Sequence, residues 1–196
     1  MVPNYNFEYV PTPLSAGGVG MYIDQRFKYT VIEKFSKEVF QAFWLELHLP
    51  KKANIICGVV YRQHNSPEHF QEYFDETNEK LSASGKKIIF MGDINLNLLR
   101  FHPCKYAQNF ILSLQSFNLM PTIDKPTRVH NNSYSLIDNI FISNPEDYIT
   151  SGNMISDLTD HFSQFCFLHL DRTIFKHNCH KNLARDYSRY FETISK

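Results

Sequence analysis

A carboxylate and an amide follow the end of a strongly apolar segment in the middle of the chain. Asp93 and Asn95 stand two residues apart, directly after the segment KIIFM and Gly92. The end of a buried strand is where a sheet edge opens to solvent, so this pair could orient a water molecule and a substrate oxygen. The alternative is an ordinary Asp/Asn turn after a strand, which these residue types favour and which the two residues alone would indicate.

A second acidic side chain falls inside the apolar segment SLIDNIFIS. Asp138 shares a strand face with Leu136, Ile140 and Ile142, which predicts that it points into the interior. A buried carboxylate is costly unless it is paired or hydrogen-bonded. We therefore expect a partner, which could be a backbone amide or a lysine. The sharper candidate is a histidine, whose tautomer the carboxylate would fix.

Two further pairs of polar residues stand at the ends of apolar segments. Asp160 and His161 come shortly before FCFLHL, and Tyr61 and Arg62 end the segment GVVYR. An adjacent Asp and His can bring a metal ligand and a proton donor to one place, although such a pair is more often part of a loop. A phenol and a guanidinium could contact a phosphate. The alternative there is a strand-end aromatic ring beside a solvated arginine.

Neither the cysteines nor the histidines near the end of the chain indicate a zinc site. His177, Cys179 and His180 are ligand types, but the spacing HxCH is too tight for a structural zinc site without distant partners. Cys57 and Cys166 lie in apolar segments and are expected to pack as small hydrophobic side chains. With no CxxC motif and no secretory leader in the sequence, we expect a reduced, intracellular setting. No apolar run is long enough to cross a bilayer.

The composition predicts one globular domain and excludes a strongly basic protein. The chain has 196 residues, of which 43% are hydrophobic and 15% aromatic, enough to form a sizeable core. Lys and Arg together number 20, as do Asp and Glu, so the formal net charge is zero. Most autonomous nucleic-acid binders are basic, so the composition gives no support to DNA binding. A nuclease with a local basic rim remains compatible with it.

The elements that must position these residues are strands interrupted by two helices. Apolar alternation and apolar runs predict strands over 18–24, 43–49, 55–61, 87–91, 134–142 and 165–170. The short turn at 51–54 predicts a hairpin between the second and third of these strands. The opening 18 residues contain three prolines and predict a loop.

One helix is predicted to begin with Ser66 as its N-cap and Pro67 in its first turn, and to stop at Gly85. Its buried face would carry Phe70, Phe74, Thr77 and Leu81. A second helix is predicted over 106–117, with Phe110, Ile111, Leu114 and Phe117 turned inward. Strands that alternate with helices and that also join by short turns indicate a mixed α/β sandwich.

These segments, in this order, resemble the endonuclease/exonuclease/phosphatase superfamily. The resemblance covers most of residues 17–170. The residues of these motifs are most similar to those of the endonuclease domain of LINE-type (non-LTR) retrotransposons. The resemblance is carried by GGVGMYI (17–23), ICGVVYR (56–62), KIIFMGDINLNLL (87–99), PTRVHNNSYSLIDNIFIS (126–143) and DLTDHFSQF (157–165). Gly-Asp-x-Asn, Ile-Asp-x-Ile-Phe and Asp-His are weak motifs singly, and their combination is specific.

The resemblance implies a four-layered α/β sandwich of two mixed β-sheets flanked by helices, and magnesium-dependent hydrolysis of phosphodiesters with DNA as the substrate. It also implies a role for each of the motif residues. Asp93 would orient or deprotonate the attacking water, and Asn95 would hold that water and a phosphate oxygen. His161 would bind the scissile phosphate with Asp138 behind it as orienter. Tyr61 would contact the phosphate or the leaving group, and Asp160 would help to hold Mg²⁺.

The chain departs from the family pattern at its start. Family members begin with a strand ending in Asn and a later strand ending in Glu, the principal metal ligand. Nothing ahead of Gly17 supplies either residue, and Glu8 lies between prolines. We therefore expect an incomplete domain over 1–171 that lacks the N-terminal strands, weak or absent Mg²⁺ binding, and an inactive or impaired nuclease. Residues 172–196 are expected to form a linker or tail.

Two other functions stay open at this point. One is a phosphatase or phospholipid phosphodiesterase on the same scaffold, and the other is a fragment that binds a protein or nucleic acid without catalysis. No small-molecule cofactor and no membrane association are expected. If the chain is a retrotransposon product, we expect it in the nucleus.

Overall fold

The computed structural model describes residues 2–14, 17–64, 68–100, 102–131, 133–144, 149–156 and 159–168. In chain order, the elements within these ranges are β1 (Tyr5–Val10), β2 (Val19–Asp24), β3 (Lys28–Lys37), β4 (Phe40–His48), β5 (Ile55–Arg62), α1 (Glu68–Ser82), β6 (Lys87–Asp93), a short 3₁₀ turn (Leu98–Arg100), α2 (Lys105–Ser116), β7 (Leu119–Pro121), β8 (Arg128–His130), β9 (Ser133–Ser135), β10 (Asp138–Ser143), β11 (Ile149–Met154) and β12 (Ser163–Leu168).

A mixed sheet of six strands, in the order β3-β4-β5-β6-β10-β7, forms the centre of the molecule. β4 and β5 are antiparallel neighbours joined by a short turn, which confirms the predicted hairpin. β5 and β6 are parallel, so the chain must cross over between them, and α1 makes this crossover. All other neighbours in this sheet are antiparallel. This sheet and the two helices confirm the mixed α/β class.

Both helices cover one face of the central sheet. The face predicted for α1 is buried as expected, since Phe70, Phe74, Thr77 and Leu81 are at most 7% exposed. In α2, Phe110 and Leu114 are buried as predicted, whereas Ile111 and Phe117 are only half-buried. Phe74 of α1 contacts Phe90 of the sheet edge to face and Phe110 of α2 at a tilt, and these rings belong to the main core. The predicted cap residues Ser66 and Pro67 lie outside the described residues.

The opposite face of the sheet is partly covered by the ribbon of β1 and β2. Val10, Val19 and Ile23 from this ribbon pack on Phe43 and Leu45 of β4. The prediction of a loop over the first 18 residues is therefore wrong for Tyr5–Val10. The prolines stand on either side of that strand rather than inside it, where they would remove a ladder hydrogen bond.

The outer face of the same ribbon carries exposed aromatic rings. Phe7 stacks on Tyr9 at 5.6 Å and on Tyr22 at 4.5 Å between ring centroids. These rings alternate with inward-facing residues along β1, as the period of a strand requires.

Several strands differ from their predicted bounds. β3 was not predicted, because its exposed face is charged and its register shifts between Val31 and Glu33, which interrupts the alternation. The strand predicted over 134–142 is divided into β9 and β10. The break falls where Ile94 and Leu98 donate backbone hydrogen bonds to Ile137 and Leu136. The short strands β7, β8 and β11 have too few residues or too little alternation to be detected from sequence.

The sandwich is therefore observed in part. In addition to the six-stranded sheet, the described residues form three two-stranded sheets, namely β1-β2, β11-β12 and β8-β9. The second mixed sheet and the absence of N-terminal strands stay predictions. Residues 172–196, with His177, Cys179 and His180, lie outside the described residues. Within the described residues, neither helix is long and apolar enough to span a membrane.

Candidate active site

Three of the predicted site residues lie side by side across the central sheet. Asp93 pairs with Tyr61 of the parallel strand β5 and with Asp138 of the antiparallel strand β10. Residues that pair in register project from the same face of a sheet. Gln41 continues the row, because it pairs with Tyr61 from β4. The fold therefore brings these polar side chains together at one end of the four inner strands, on the face opposite the helices.

Gly92 allows β6 to carry Asp93 to this position. Its φ is +150°, and a Cβ on Gly92 would lie 1.7 Å from the carbonyl oxygen of Val60 in β5. No L-amino acid with a side chain fits so close to a neighbouring strand. Contrary to the predicted break after residue 91, the strand continues through Gly92 and Asp93.

Asn95 fixes the turn that follows Asp93. Its backbone φ is +51°, a left-handed conformation that Asn tolerates better than most residues. The backbone N–H of Asn95 donates to Asp93 Oδ1 at 2.9 Å, and its side-chain Nδ2 donates to the carbonyl oxygen of Arg62 at 2.8 Å. The segment therefore forms the ordinary Asp/Asn turn that was the alternative interpretation of the sequence. It also holds the ends of β5 and β6 together beside the carboxylate of Asp93.

Arg62 points into the protein rather than to its surface. It is 2% exposed, its Nη1 donates to the carbonyl oxygen of Ile94 at 3.2 Å, and its guanidinium lies over the ring of Phe70 at 5.8 Å. Burial lowers the pKa of Arg62. The interpretation of Arg62 as a solvated arginine at the end of a strand is therefore wrong. The phosphate contact of Arg62 stays a prediction, which would require the side chain to leave this position.

The partner of Asp138 is a histidine, the sharper of the candidates considered from the sequence. Nδ1 of His161 lies 3.0 Å from Oδ2 and 3.1 Å from Oδ1 of Asp138. The side chain of Asp138 is 13% exposed and that of His161 33% exposed, so the imidazole lies between the buried carboxylate and solvent. A carboxylate behind one ring nitrogen fixes the tautomer and leaves Nε2 for another partner.

Thr127, which the sequence did not indicate as a site residue, positions the pair of Asp138 and His161. Its Oγ1 accepts the backbone N–H groups of Ile137 and Asp138 at 3.2 and 3.1 Å, and its carbonyl oxygen accepts the N–H of Phe162 at 2.7 Å. It is therefore hydrogen-bonded to both segments that carry the Asp138–His161 pair. The residue is visible within the segment PTRV, but its type alone does not distinguish it from a turn threonine.

The two carboxylates lie in surroundings that raise their proton affinity. Burial, followed by the negative charge of Asp138, raises the pKa of Asp93 to about 6. Burial also raises the pKa of Asp138, against the opposing effect of His161. A divalent cation bound between these two partly buried carboxylates would stabilise their ionised forms.

Asp93, Asp138 and His161 could together hold such an ion. One ligand atom from each residue lies within 4.8 Å of the others, and in the described part of the chain this is the group with suitable spacing. Carboxylate oxygens are the ligands that Mg²⁺ prefers, so Asp93 and Asp138 fit this ion in type, whereas the nitrogen of His161 does not.

Asp160, the metal ligand predicted from the sequence, has a different partner. Its Oδ2 accepts a hydrogen bond from Nε of Arg128 at 2.7 Å, and this contact lowers the pKa of Asp160. His130 Nδ1 lies 3.9 Å from the same oxygen. A metal-binding role for Asp160 stays a prediction, and Arg128 is a second residue that the sequence analysis did not single out.

Tyr61 of β5 and Gln41 of β4 lie on the side of Asp93 that is away from Asp138. Gln41 is fully buried, and its Oε1 accepts the backbone N–H of Gly18 at 3.0 Å. The ring of Tyr61 is half-buried and lies against Gly17, where an added Cβ would come within 3.2 Å of it. The glycine segment before β2 therefore approaches the site through these two side chains.

Comparison with known proteins identifies the fold. No protein-family model matches the sequence, and a search of curated proteins finds no match. Solved structures do match. The endonuclease domain of TRAS1, a telomere-specific non-LTR retrotransposon, superposes with a TM-score of 0.67 at 15% identity, covering 86% of this chain and 80% of that one.

Two further structures agree with this fold. An endonuclease/exonuclease/phosphatase family protein from Bacteroides thetaiotaomicron gives a TM-score of 0.62 at 17% identity, with 86% and 76% of the two chains covered. The APE2 catalytic domain of Xenopus laevis gives 0.61 at 11% identity, with 88% and 79% covered. The chain has the endonuclease/exonuclease/phosphatase fold.

Proposed function

We propose that this chain is part of a magnesium-dependent phosphodiesterase that cleaves DNA, of the kind found in non-LTR retrotransposons. The observation that carries the proposal is the convergence of Asp93, Asp138 and His161, whose ligand atoms lie within 4.8 Å of one another. The similarity to a retrotransposon endonuclease domain supports DNA as the substrate.

Each residue takes a role that agrees with its contacts. Asp93 orients the attacking water and accepts its proton. His161 binds the scissile phosphate through the ring nitrogen that Asp138 leaves free. Asp138 holds the imidazole in orientation from 3.0 Å. The oxygen of the water bonds to phosphorus while the bond to the leaving oxygen breaks.

Tyr61 and Asn95 take supporting roles in this proposal. Tyr61 is next to Asp93 in the sheet register, on the side away from Asp138, where its phenol would contact the phosphate or the leaving group. Asn95 uses one amide hydrogen on the carbonyl oxygen of Arg62, and the second would donate to a phosphate oxygen.

Asp93 and Asp138 would supply oxygen ligands to Mg²⁺. When bound, the ion offsets negative charge on the phosphoryl oxygens during displacement. In the metal-free chain, the positive charge of Arg128 acts in the same direction as the ion would, because it opposes the rise in the pKa of both carboxylates.

We propose that the 196-residue chain by itself holds Mg²⁺ weakly and is slow. Mg²⁺ prefers six oxygen ligands near octahedral geometry. In the described residues the suitable group has two carboxylates, and one of them is already hydrogen-bonded to His161. Weak retention of the ion removes transition-state stabilisation of several kcal/mol, which corresponds to a rate loss of about a thousandfold or more.

A nicking assay tests both parts of the proposal. Supercoiled plasmid, ordinary or carrying abasic sites, is incubated with the chain over a series of Mg²⁺ concentrations. We expect slow nicking that needs millimolar Mg²⁺ and that is abolished in Asp93→Ala and His161→Ala. Asp138→Asn should keep the fold and lose most of the rate, because the imidazole is no longer held in one tautomer.

Arg26→Gln is the control, since Arg26 pairs with Asp24 in an exposed turn. Fast turnover at micromolar Mg²⁺ would contradict the proposed impairment. Nicking that survives both alanine substitutions would remove the assignment of the site. Hydrolysis of phosphomonoesters without nicking would favour the phosphatase alternative, and no hydrolysis of any ester would leave the binding function.

A further inference from the structure

Arg128 is held beside the candidate site by the backbone. It forms an isolated antiparallel β-bridge with His161. The N–H of Val129 donates to the carbonyl oxygen of Asp160 at 2.9 Å, and the N–H of Phe162 donates to the carbonyl oxygen of Thr127 at 2.7 Å. The segment that carries His161 is therefore tied residue by residue to the segment that carries Arg128.

The side chain of Arg128 uses one of its three nitrogens on Asp160. The contact is from Nε to Oδ2 at 2.7 Å, and the two side chains are 42% and 34% exposed. In the part of the chain that the structure describes, the terminal Nη nitrogens contact no other polar group. A guanidinium held by Nε presents its two Nη nitrogens as a fork, which suits two oxygens of a phosphate.

The charge of Arg128 acts where the substrate would bind. Its positive charge opposes the burial that raises the pKa of Asp93 and of Asp138. Arg62, the arginine that the sequence analysis favoured for a phosphate contact, is buried and directed elsewhere. Arg128 thus combines partial exposure, a fixed position and proximity to both carboxylates.

We propose that Arg128 contacts a phosphate oxygen of the DNA backbone through its Nη nitrogens, and that Asp160 is a positioning residue for this guanidinium rather than a metal ligand. The proposal rests on the proposed function, because it takes the substrate to be a phosphodiester. Removing Arg128 therefore weakens substrate binding directly, whereas removing Asp160 weakens it by releasing Arg128.

Binding to a short DNA duplex in EDTA tests the first part without catalysis. Fluorescence anisotropy over a salt series compares the wild-type chain with Arg128→Gln and Arg128→Lys. We expect Arg128→Gln to lose about tenfold in affinity and to lower the salt slope by about one ion. Arg128→Lys keeps the charge but not the fork, and should lie between the two. Arg26→Gln, in the exposed pair with Asp24, should bind as the wild type does.

A double-mutant cycle tests the role of Asp160. In an Asp160→Asn background, the effect of Arg128→Gln on affinity should fall from about tenfold to below about threefold, because the guanidinium is no longer held. Mg²⁺ binding, measured as the shift in melting temperature on adding the ion, should be the same in Asp160→Asn and in the wild type.

Three results would overturn the inference. They are wild-type affinity and salt slope in Arg128→Gln, an equal effect of that substitution in both backgrounds, and loss of Mg²⁺ binding in Asp160→Asn. A wild-type chain that does not bind the duplex would also overturn it. Arg128-dependent binding in a chain that never nicks DNA would instead sink the proposed hydrolysis and leave this contact standing.

Discussion

At the level of single residues, burial and the neighbouring carboxylate of Asp138 make the ionised form of Asp93 less stable in the folded chain. The pKa of Asp93 is raised to about 6 from an ordinary value of 3.8. The unfolded chain releases this proton near pH 4 and the folded chain keeps it until about pH 6. Without metal, the free energy of unfolding therefore falls as the pH rises through this window, and the loss is complete above it.

Asp93→Asn should consequently stabilise the metal-free protein in a pH-dependent way. We expect little difference from the wild type at pH 4 and a gain of about 2 kcal/mol at pH 8, since each unit of pKa shift corresponds to about 1.4 kcal/mol and partial exposure reduces the effect. Urea unfolding in EDTA at the two pH values measures this.

Asp24→Asn provides the matched control, because its hydrogen bonds with Arg26 lower the pKa of Asp24. That substitution should give no gain at pH 8. An equal effect of Asp93→Asn at both pH values would show that the carboxylate is not destabilised in the folded state.

At the level of elements, the site depends on the register of β6 between a parallel and an antiparallel neighbour. Tyr61, Asp93 and Asp138 line up only while both pairings hold. A slip of one residue would turn Asp93 to the helix-covered face. Gly92 is a position where β6 comes very close to β5, and the register there is therefore sensitive to any side chain.

Gly92→Ala should disrupt this part of the sheet. The added Cβ would meet the carbonyl oxygen of Val60 at 1.7 Å, in a backbone conformation with φ of +150° that alanine rarely adopts. We expect a loss of more than about 4 kcal/mol or a failure to fold, measured by urea unfolding. Gly85→Ala is the comparison, because φ there is +66° and nothing lies within 4 Å. It should cost about 1 kcal/mol. Similar costs at the two positions would contradict the close approach of the strands.

At the level of the whole molecule, one aromatic cluster connects the helices to the sheet beneath the site. The ring of Phe90 lies 4.6 Å from that of Phe141, 5.5 Å from that of Phe74 and 5.7 Å from that of Trp44, measured between centroids. Phe90 therefore contacts β4, α1 and β10 at once. Because β6 also ends in Asp93, the position of the site follows from the packing of this core.

Phe90→Ala should lower the free energy of unfolding by about 3–5 kcal/mol, since it removes a fully buried ring and leaves a cavity. Phe167→Ala, at a side chain that is 62% exposed, should change stability by less than about 1 kcal/mol. Circular dichroism in a urea series measures both. A small effect at Phe90 would mean that the helices and the sheet are not held together by this cluster.

Local patterns were enough to predict much of this protein. Both helices, the hairpin of β4 and β5, and the fold class were predictable, because periodic apolar residues report which side of an element faces a core. The need of Asp138 for a partner was predictable for a related reason, although the choice of a histidine over an amide or a lysine was not fixed. A carboxylate on an apolar strand face needs a partner, whatever the rest of the fold.

Tertiary structure alone decided which polar groups meet. The sequence does not show that Arg62 is buried against Phe70, that Asp160 pairs with Arg128, or that Thr127 ties the site segments together. The sequence also did not predict β1, because the prolines on either side of this strand indicated a loop. These features depend on contacts between residues far apart in the chain, and local periodicity carries no information on which distant segment becomes a neighbour. The register of β5, β6 and β10 supplied that information, because it sets which side chains share one face.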